Sequence, residues 1–236
     1  MNIFFSACNS KFFKYALPLY SSFKKYNKET VMYFGNVDCT EEQLGQLEQL
    51  GVKTVNTDKV KVLKENSLSY NFLDWLIYDY LKDIDYNKVM WMDTDTTVTR
   101  NIEELFKIDA DIIAHPGRDS KGAIMSTDGI MYMAFGTWVT RKKEFLKELS
   151  NEVKNLKWLD SESKEIRRLS IESGFKLHQL DPSIWNFSRQ EVPKIERDEH
   201  GLYYKVYPAT IGFSRDDHGK RYTNKIIEDW INENSI

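Results

Sequence analysis

Short apolar runs and amphipathic segments alternate through the first 55 residues, and that alternation leaves few folds open. Residues 3–7 form an apolar run of strand length, closed by the polar Cys8-Asn9-Ser10. Phe12, Tyr15, Ala16, Leu19 and Phe23 then recur at helical spacing as far as Tyr26. Pro18 sits inside this pattern, where its missing N–H either kinks the helix or marks its true start. Residues 30–34 read as a second strand, broken by Gly35-Asn36, and Thr40-Glu-Glu-Gln43 has the form of a capping box opening a helix through Leu50. Gly51 ends that helix, and residues 52–55 read as a third strand. Such a chain buries its apolar faces when the strands pair in parallel and the helices cover the sheet. The expectation is an α/β fold with a mixed, mainly parallel sheet flanked by helices.

The remainder continues the theme. Phe72, Leu73, Leu76, Ile77, Tyr80 and Leu81 lie on one stripe of a helix predicted over 69–84. Residues 88–92 are nearly all apolar, as a central strand buried on both faces requires. A helical turn over 101–106, a strand over 111–114 and a polar loop over 118–128 follow. Residues 129–140 are strand-rich and open to division near Gly136. An amphipathic helix over 142–156, a second over 163–173 closed by Gly174, a strand over 203–207 and a terminal helix from Asn224 complete the reading. With no internal repeat, low-complexity tract or linker in view, residues 1–236 read as one domain.

Composition narrows the partners. Hydrophobic residues make up 41% of the 236, enough for a proper core. The net charge is -3, with 33 basic residues dispersed among 36 acidic ones, so nothing points to nucleic acid. Cys8 and Cys39 form no CxxC pair, which argues against a structural zinc site or a disulfide framework and for a reducing compartment. The start lacks a basic n-region, and Lys11 and Lys14 fall where a signal peptide would still be apolar. The longest apolar stretches fall well short of the roughly 20 residues that cross a bilayer. A soluble cytoplasmic chain without a transmembrane segment is expected.

Asp93-Thr-Asp95 is the most informative segment, because it stands where the apolar run 88–92 ends. Ligands of open α/β sheets bind beyond the carboxyl ends of the strands. Two carboxylates placed there repel each other and lose hydration, and a cation relieves both costs. Mg²⁺ and Mn²⁺ prefer such oxygen donors, one or two carboxylates together with substrate phosphates. The pair therefore reads as a platform for a metal–diphosphate complex, in which the ion acts as a Lewis acid. The bland alternative is a surface turn rich in Asp and Thr.

The run Val89-Met-Trp-Met-Asp-Thr-Asp-Thr-Thr-Val-Thr-Arg-Asn-Ile-Glu-Glu-Leu-Phe106 resembles the hallmark of GT-A-fold glycosyltransferases, above all the glycogenin and bacterial galactosyltransferase group and related viral enzymes. The resemblance implies a hexosyltransferase-like enzyme, with retention of configuration favoured. It would move a sugar from a nucleoside-diphosphate donor, a UDP-sugar, to a hydroxyl on a glycan, protein or small molecule. It also implies Mn²⁺ or Mg²⁺ on Asp93 and Asp95, a nucleotide-binding half over 1–100 and an acceptor-binding half over 101–236.

Carried over residue by residue, Ala7, Cys8 and Asn9 match the loop that holds base and ribose, with Asn9 departing from the family's Asp-x-x-Tyr. Asp217-His218-Gly219-Lys220-Arg221 matches a late histidine that completes the metal shell, then a glycine and a base that assists diphosphate departure. The family's Lys-Pro-Trp ending is missing. Arg118, Asp119 and Lys121 fall where the family touches the donor sugar. Phe135-Gly136-Thr137-Trp138 resembles a strand end whose glycine admits the sugar, and Asp128-Gly129 offers a second register for that role. Asp160 and Glu162 match the acidic segment beside the anomeric carbon, although Ser161 and Ser163 also suit a helix cap. Trp185-Asn186 matches an acceptor-side pair, while Trp75, Trp91 and Trp158 read as core.

Two other classes compete. Asp93-Thr-Asp95-Thr-Thr97 also fits the first motif of haloacid-dehalogenase-type phosphatases, with Asp93 as nucleophile and Asp95 as general acid. That family places the motif near its N-terminus, whereas three strand–helix units precede it here, and Asp216-Asp217 do not follow an apolar run. The other competitor is a non-catalytic sugar-nucleotide or glycan-binding protein on the same scaffold.

Overall fold

The computed structural model describes residues 1–65, 70–116, 126–127, 130–131, 133–153, 174–180 and 210–212. The chain begins with β1 (Asn2–Cys8), α1 (Phe13–Tyr26), β2 (Val31–Asn36), α2 (Glu41–Gln49) and β3 (Lys53–Asn56). Next come α3 (Val60–Glu65), a 3₁₀ segment Tyr70–Leu76, α4 (Ile77–Leu81), β4 (Lys88–Met92), β5 (Thr96–Val98) and a 3₁₀ turn Glu103–Lys107. Then follow β6 (Ile112–Pro116), β7 (Ser126–Thr127), β8 (Ile130–Met131), β9 (Met133–Thr140), α5 (Lys143–Glu152), β10 (Leu177–Gln179) and β11 (Thr210–Gly212).

Seven strands make one sheet in the order β10-β6-β9-β4-β1-β2-β3, so β4 is central, as its apolar sequence requires. The pairs β1–β2, β1–β4, β2–β3 and β10–β6 are parallel, and β9 runs antiparallel to both β4 and β6. Alternation along the strands builds two cores. Ile3, Phe5, Val89, Trp91 and Trp138 pack with Trp75, Ile77, Phe145 and Leu149 on one face. Phe4, Met90, Met92, Phe34 and Val139 pack with Ala16, Leu19, Phe23 and Leu47 on the other. Among the described residues, no helix is long and apolar enough to cross a membrane.

The capping box is real: Thr40 Oγ accepts from Gln43 N at 3.2 Å, and Gln43 Oε1 accepts from Thr40 N at 3.0 Å. Gly51, at φ 80°, then turns the chain out of α2. Pro18 lies within α1, which starts at Phe13.

Several expectations need correction. Gly35 and Asn36 do not break the second strand but continue it. A Cβ on Gly35 would stand 2.8 Å from Ala7 Cβ, 2.9 Å from Phe5 Cζ and 3.0 Å from Tyr80 Cζ, so glycine there serves close packing. Gly136 likewise lies inside an unbroken β9. The irregularity falls in the pairing instead: Ala114 faces Trp138 but His115 faces Ala134, so residues 135–137 have no partner in β6. The stripe expected as one helix over 69–84 is a 3₁₀ segment followed by the short α4. Helix α3 and strands β5, β10 and β11 have no counterpart in the sequence reading, and β7 falls inside the segment 118–128 expected as a polar loop. The predicted helix over 163–173, the strand over 203–207 and the terminal helix lie outside the described residues.

Candidate functional site

The parallel register of β1 with β4 sets Asn2 against Lys88 and Phe5 against Trp91, so the carboxyl ends of both strands reach one rim of the sheet. The Ser6 hydroxyl donates to the Met92 carbonyl at 2.6 Å and ties the two strands together there. One step further, Ala7, Cys8 and Asn9 leave β1 beside the point where Asp93 leaves β4. The chain continues from β1 to β2 on one side, while β4 pairs on the other. This is a topological switch point, where ligands of such sheets bind.

At the end of β4 the backbone turns sharply, with Thr96 N donating to Asp93 O at 3.0 Å. Asp93 N donates to Gly136 O at 2.9 Å, so β9 holds the turn from the neighbouring position. The Trp91 indole N–H donates to Asp93 Oδ1 at 3.0 Å and orients that carboxylate. Asp93 is exposed and Asp95 half-buried, whereas Thr94, Thr96 and Thr97 are buried. The segment thus turns its acids toward solvent and its threonines inward, the opposite of a loose polar loop. Thr96–Val98 is further fixed by antiparallel pairing with β11, Thr210 against Val98 and Gly212 against Thr96. Thr137 is fully buried beside Gly136, and the hydroxyls of Thr97 and Thr137 have no hydrogen-bond partner among the described residues.

The β1 end is built with equal care. Asn9 is buried, and both its side-chain oxygen and its carbonyl accept from the N–H of Phe12, the residue just before α1. Asp38 Oδ1 accepts from Ser10 N at 2.7 Å, and Gln43 Nε2 donates to Ser10 O at 3.1 Å. Asn36, at the end of β2, donates through Nδ2 to Asn56 Oδ1 at the end of β3 and accepts from Cys39 N. Asn36, Asp38 and Asn56 therefore share the rim with Ala7–Asn9. Sequence reasoning missed them, although each is a polar residue at or just past the end of an apolar strand, the same signal that singles out Asp93.

Cys8 and Cys39 meet at this rim, with Cys39 Sγ donating to Cys8 O at 3.6 Å. Interaction with Cys39 and burial push the Cys8 thiol far above its ordinary acidity range, while the Cys8 thiol holds Cys39 below it. Burial also raises the Tyr80 phenol, whose hydroxyl donates to Asn36 O.

Among the described residues, no cluster of three His, Cys, Asp or Glu side chains forms a ready metal site. The described part contributes two hard oxygen donors, Asp93 and Asp95. Asp119, Asp160, Glu162, His218 and Lys220 lie outside the described residues, as do Arg118, Lys121, Asp128, Gly129, Trp185, Asn186, Asp217, Gly219 and Arg221. The structure therefore brings Ala7, Cys8, Asn9, Asp93, Asp95, Gly136 and Thr137 to one end of the sheet.

No protein-family model matches the sequence, and no curated protein matches it. Solved structures do match, and they share the fold. The chain is similar to the galactosyltransferase LgtC, solved with donor and acceptor sugar analogs, at 15% identity and a TM-score of 0.66 over 99% of this chain and 96% of that one. It is similar to the glycosyltransferase GlyE of Streptococcus pneumoniae TIGR4, at 15% identity and a TM-score of 0.65. The bifunctional glycosyltransferase WbbM matches at 16% identity and a TM-score of 0.65. The chain spans 60% of GlyE and 49% of WbbM, so it corresponds to one part of those proteins. The fold is GT-A: a mixed, mainly parallel seven-stranded sheet with helices on both faces.

Proposed function

We propose that this chain is a glycosyltransferase that moves a sugar from a nucleoside-diphosphate donor, a UDP-sugar, to a hydroxyl acceptor with the help of Mn²⁺ or Mg²⁺. The observation that carries the reading is the placement of Asp93 and Asp95. They leave the central strand at the switch point of a GT-A sheet, beside the β1 end that would hold the nucleotide.

The donor set fits a hard divalent cation. An exposed carboxylate stands two residues from a half-buried one on a turn pinned by Gly136 and Trp91, and such ions take one or two carboxylates plus substrate phosphates. Asp93 and Asp95 would hold the ion, with His218 as the third protein ligand. The bound ion supplies Lewis-acid stabilisation of the departing nucleoside diphosphate. The chain's own residues do the rest. Ala7, Cys8 and Asn9 bind base and ribose. Asp119, Gly136 and Thr137 would border the donor, and Lys220 would offset charge on the leaving diphosphate. Asp160 and Glu162 would act beside the reacting carbon.

A panel of nucleotide sugars with and without Mn²⁺ tests this reading. A bound donor at a hundred times its Kd stabilises the fold by about 2.7 kcal/mol, which a thermal melt resolves easily. Asp93→Ala and Asp95→Ala should each remove metal-dependent transfer while the chain still unfolds cooperatively, with Asp93→Ala less stable by about 1–3 kcal/mol because the buried Trp91 indole loses its acceptor. Hydrolysis of simple phosphate esters that survives without any nucleotide sugar would favour the phosphatase chemistry of the same DxDxT segment instead.

A further inference from the structure

We infer that Cys8 and Cys39 are a reversible dithiol–disulfide pair, a modification site in which Cys39 is the attacking thiol and Cys8 the resolving one.

The two residues are distant in sequence and meet through the parallel pairing of β1 with β2. Cys8 faces Asn36 in that ladder, and Cys39 follows three residues later at the mouth of α2. The Cys39 sulfur comes within 3.6 Å of the carbonyl oxygen of Cys8 itself. Both backbones are held: Asn36 Oδ1 accepts from Cys39 N at 2.9 Å, and Cys8 lies in the last ladder position of β1. The thiols differ in access, for Cys8 is 3% exposed and Cys39 is half-buried. They differ in chemistry in the same sense. Cys39 and burial push the Cys8 thiol up, and Cys8 holds the Cys39 thiol down, which favours the more accessible sulfur as the nucleophile. A protected cysteine beside an accessible one, whose sulfur reaches its carbonyl, matches the arrangement common in redox-sensing pairs.

The chemistry balances with a low-molecular-weight disulfide as oxidant. The Cys39 thiolate attacks one sulfur of that disulfide, forming a mixed disulfide and releasing one small thiol. The Cys8 sulfur then gives up its proton and attacks Cys39 Sγ, displacing the second small thiol and closing the Cys8–Cys39 bond. The protein loses two electrons and two protons, and the oxidant is reduced to two thiols. The new bond would clamp the β2–α2 connection, which carries Asp38, to the end of β1. Its effect on nucleotide-sugar binding rests on the function proposed above.

The test uses the full chain, first reduced and then exposed to oxidised glutathione. After quenching, unfolding and alkylation, intact mass should show both cysteines withdrawn together in a monomer lighter by two hydrogens. Dithiothreitol should restore both. Proteolytic mapping should recover the peptides of Cys8 and Cys39 joined. Cys8→Ser should stop at a glutathione adduct on Cys39, and Cys39→Ser should leave Cys8 unmodified in the folded chain. A wild-type product carrying glutathione on Cys39 with Cys8 still alkylatable would overturn the inference. Disulfide-linked dimers, or no reaction under conditions that modify an exposed thiol, would do the same. Because the readout is the bond itself, the outcome is independent of turnover. A link that forms in a chain showing no nucleotide-sugar stabilisation in either redox state counts against the proposed function and leaves the thiol pair standing.

Discussion

Gly35 offers a sharp test of how β1 and β2 are packed beneath the rim. In Gly35→Ala the added Cβ meets Ala7 Cβ at 2.8 Å, Phe5 Cζ at 2.9 Å and Tyr80 Cζ at 3.0 Å. Ordinary carbon contacts begin near 3.5 Å, so the first contact is short by about 0.7 Å. Ala7 Cβ is one bond from backbone in the neighbouring strand and cannot turn aside. The Phe5 ring is fully buried and wedged between Tyr80 and Trp91, at centroid distances of 5.4 and 5.8 Å, so it has little room to yield. Overpacking of this kind costs about 1–3 kcal/mol, and the lower chain entropy of alanine returns about 0.4–1 kcal/mol. The net is a loss of about 1–2 kcal/mol, equivalent to a melting temperature lower by about 2–8 °C in a chain of this size. Gly45→Ala supplies the control: no atom lies within 4 Å of its Cβ inside α2, so helix propensity alone should raise stability by up to about 1 kcal/mol. Thermal unfolding of both variants beside the wild type decides the matter. A Gly35→Ala protein melting at or above the wild-type temperature would refute the packing argument.

Three further outcomes follow from the same geometry. Thr40→Ala removes the oxygen that accepts from Gln43 N and should cost about 1 kcal/mol in a denaturant titration. Burial pushes the Asp111 carboxyl up, but the Lys176 N–H, the Arg141 guanidinium and Lys142 outweigh it and hold the group below its ordinary 3.8. A depressed carboxylate contributes stability above its unfolded pKa and loses it as pH falls through the folded value, so Asp111→Asn should flatten the drop in stability below about pH 4. Trp91→Phe keeps the buried ring but removes the N–H that orients Asp93. On the proposed function, the Mn²⁺ concentration for half-maximal activity should rise about tenfold, while the donor concentration needed at saturating metal changes little.

The parts of the fold legible in the sequence are those whose cause is local. Residues 88–92 form β4 within the predicted bounds, because the apolar run Val89-Met-Trp-Met92 behind Lys88 has only a central position to occupy. Thr40 and Gln43 sit one helical turn apart, and the box they form is readable from spacing alone. Gly35 and Gly136 misled for the opposite reason: each looks like a breaker to its neighbours in the chain, yet at 35 the close approach of Ala7, Phe5 and Tyr80 demands a glycine, and at 136 the carbonyl is held in the sheet by the distant Asp93 N. The 3₁₀ winding of Tyr70–Leu76 preserves the apolar stripe, so periodicity alone did not separate it from an α-helix. Strand β10, Leu-His-Gln, is too short and polar to announce itself, and it exists because Leu177 and Gln179 pair with Ile112 and Ala114. At the site, the two acids were visible because β4 makes its own case. Asn36, Asp38 and Asn56 were not, because only the registers of β1, β2 and β3 bring them to the same edge.

The antiparallel course of β9 has a mechanical consequence. Its ladder with β4 joins the first hundred residues to the later part of the chain, from Val89 opposite Thr140 to Met92 opposite Thr137, and Asp93 N to Gly136 O extends the seam to the very turn that bears the acids. A sheet stitched across that boundary has no hinge about which two lobes could swing. Opening it would cost a row of backbone hydrogen bonds and expose Trp91 and Trp138 from the core. On the proposed function, any rearrangement during the reaction must leave this ladder whole, with the seven-stranded slab as its fixed anvil.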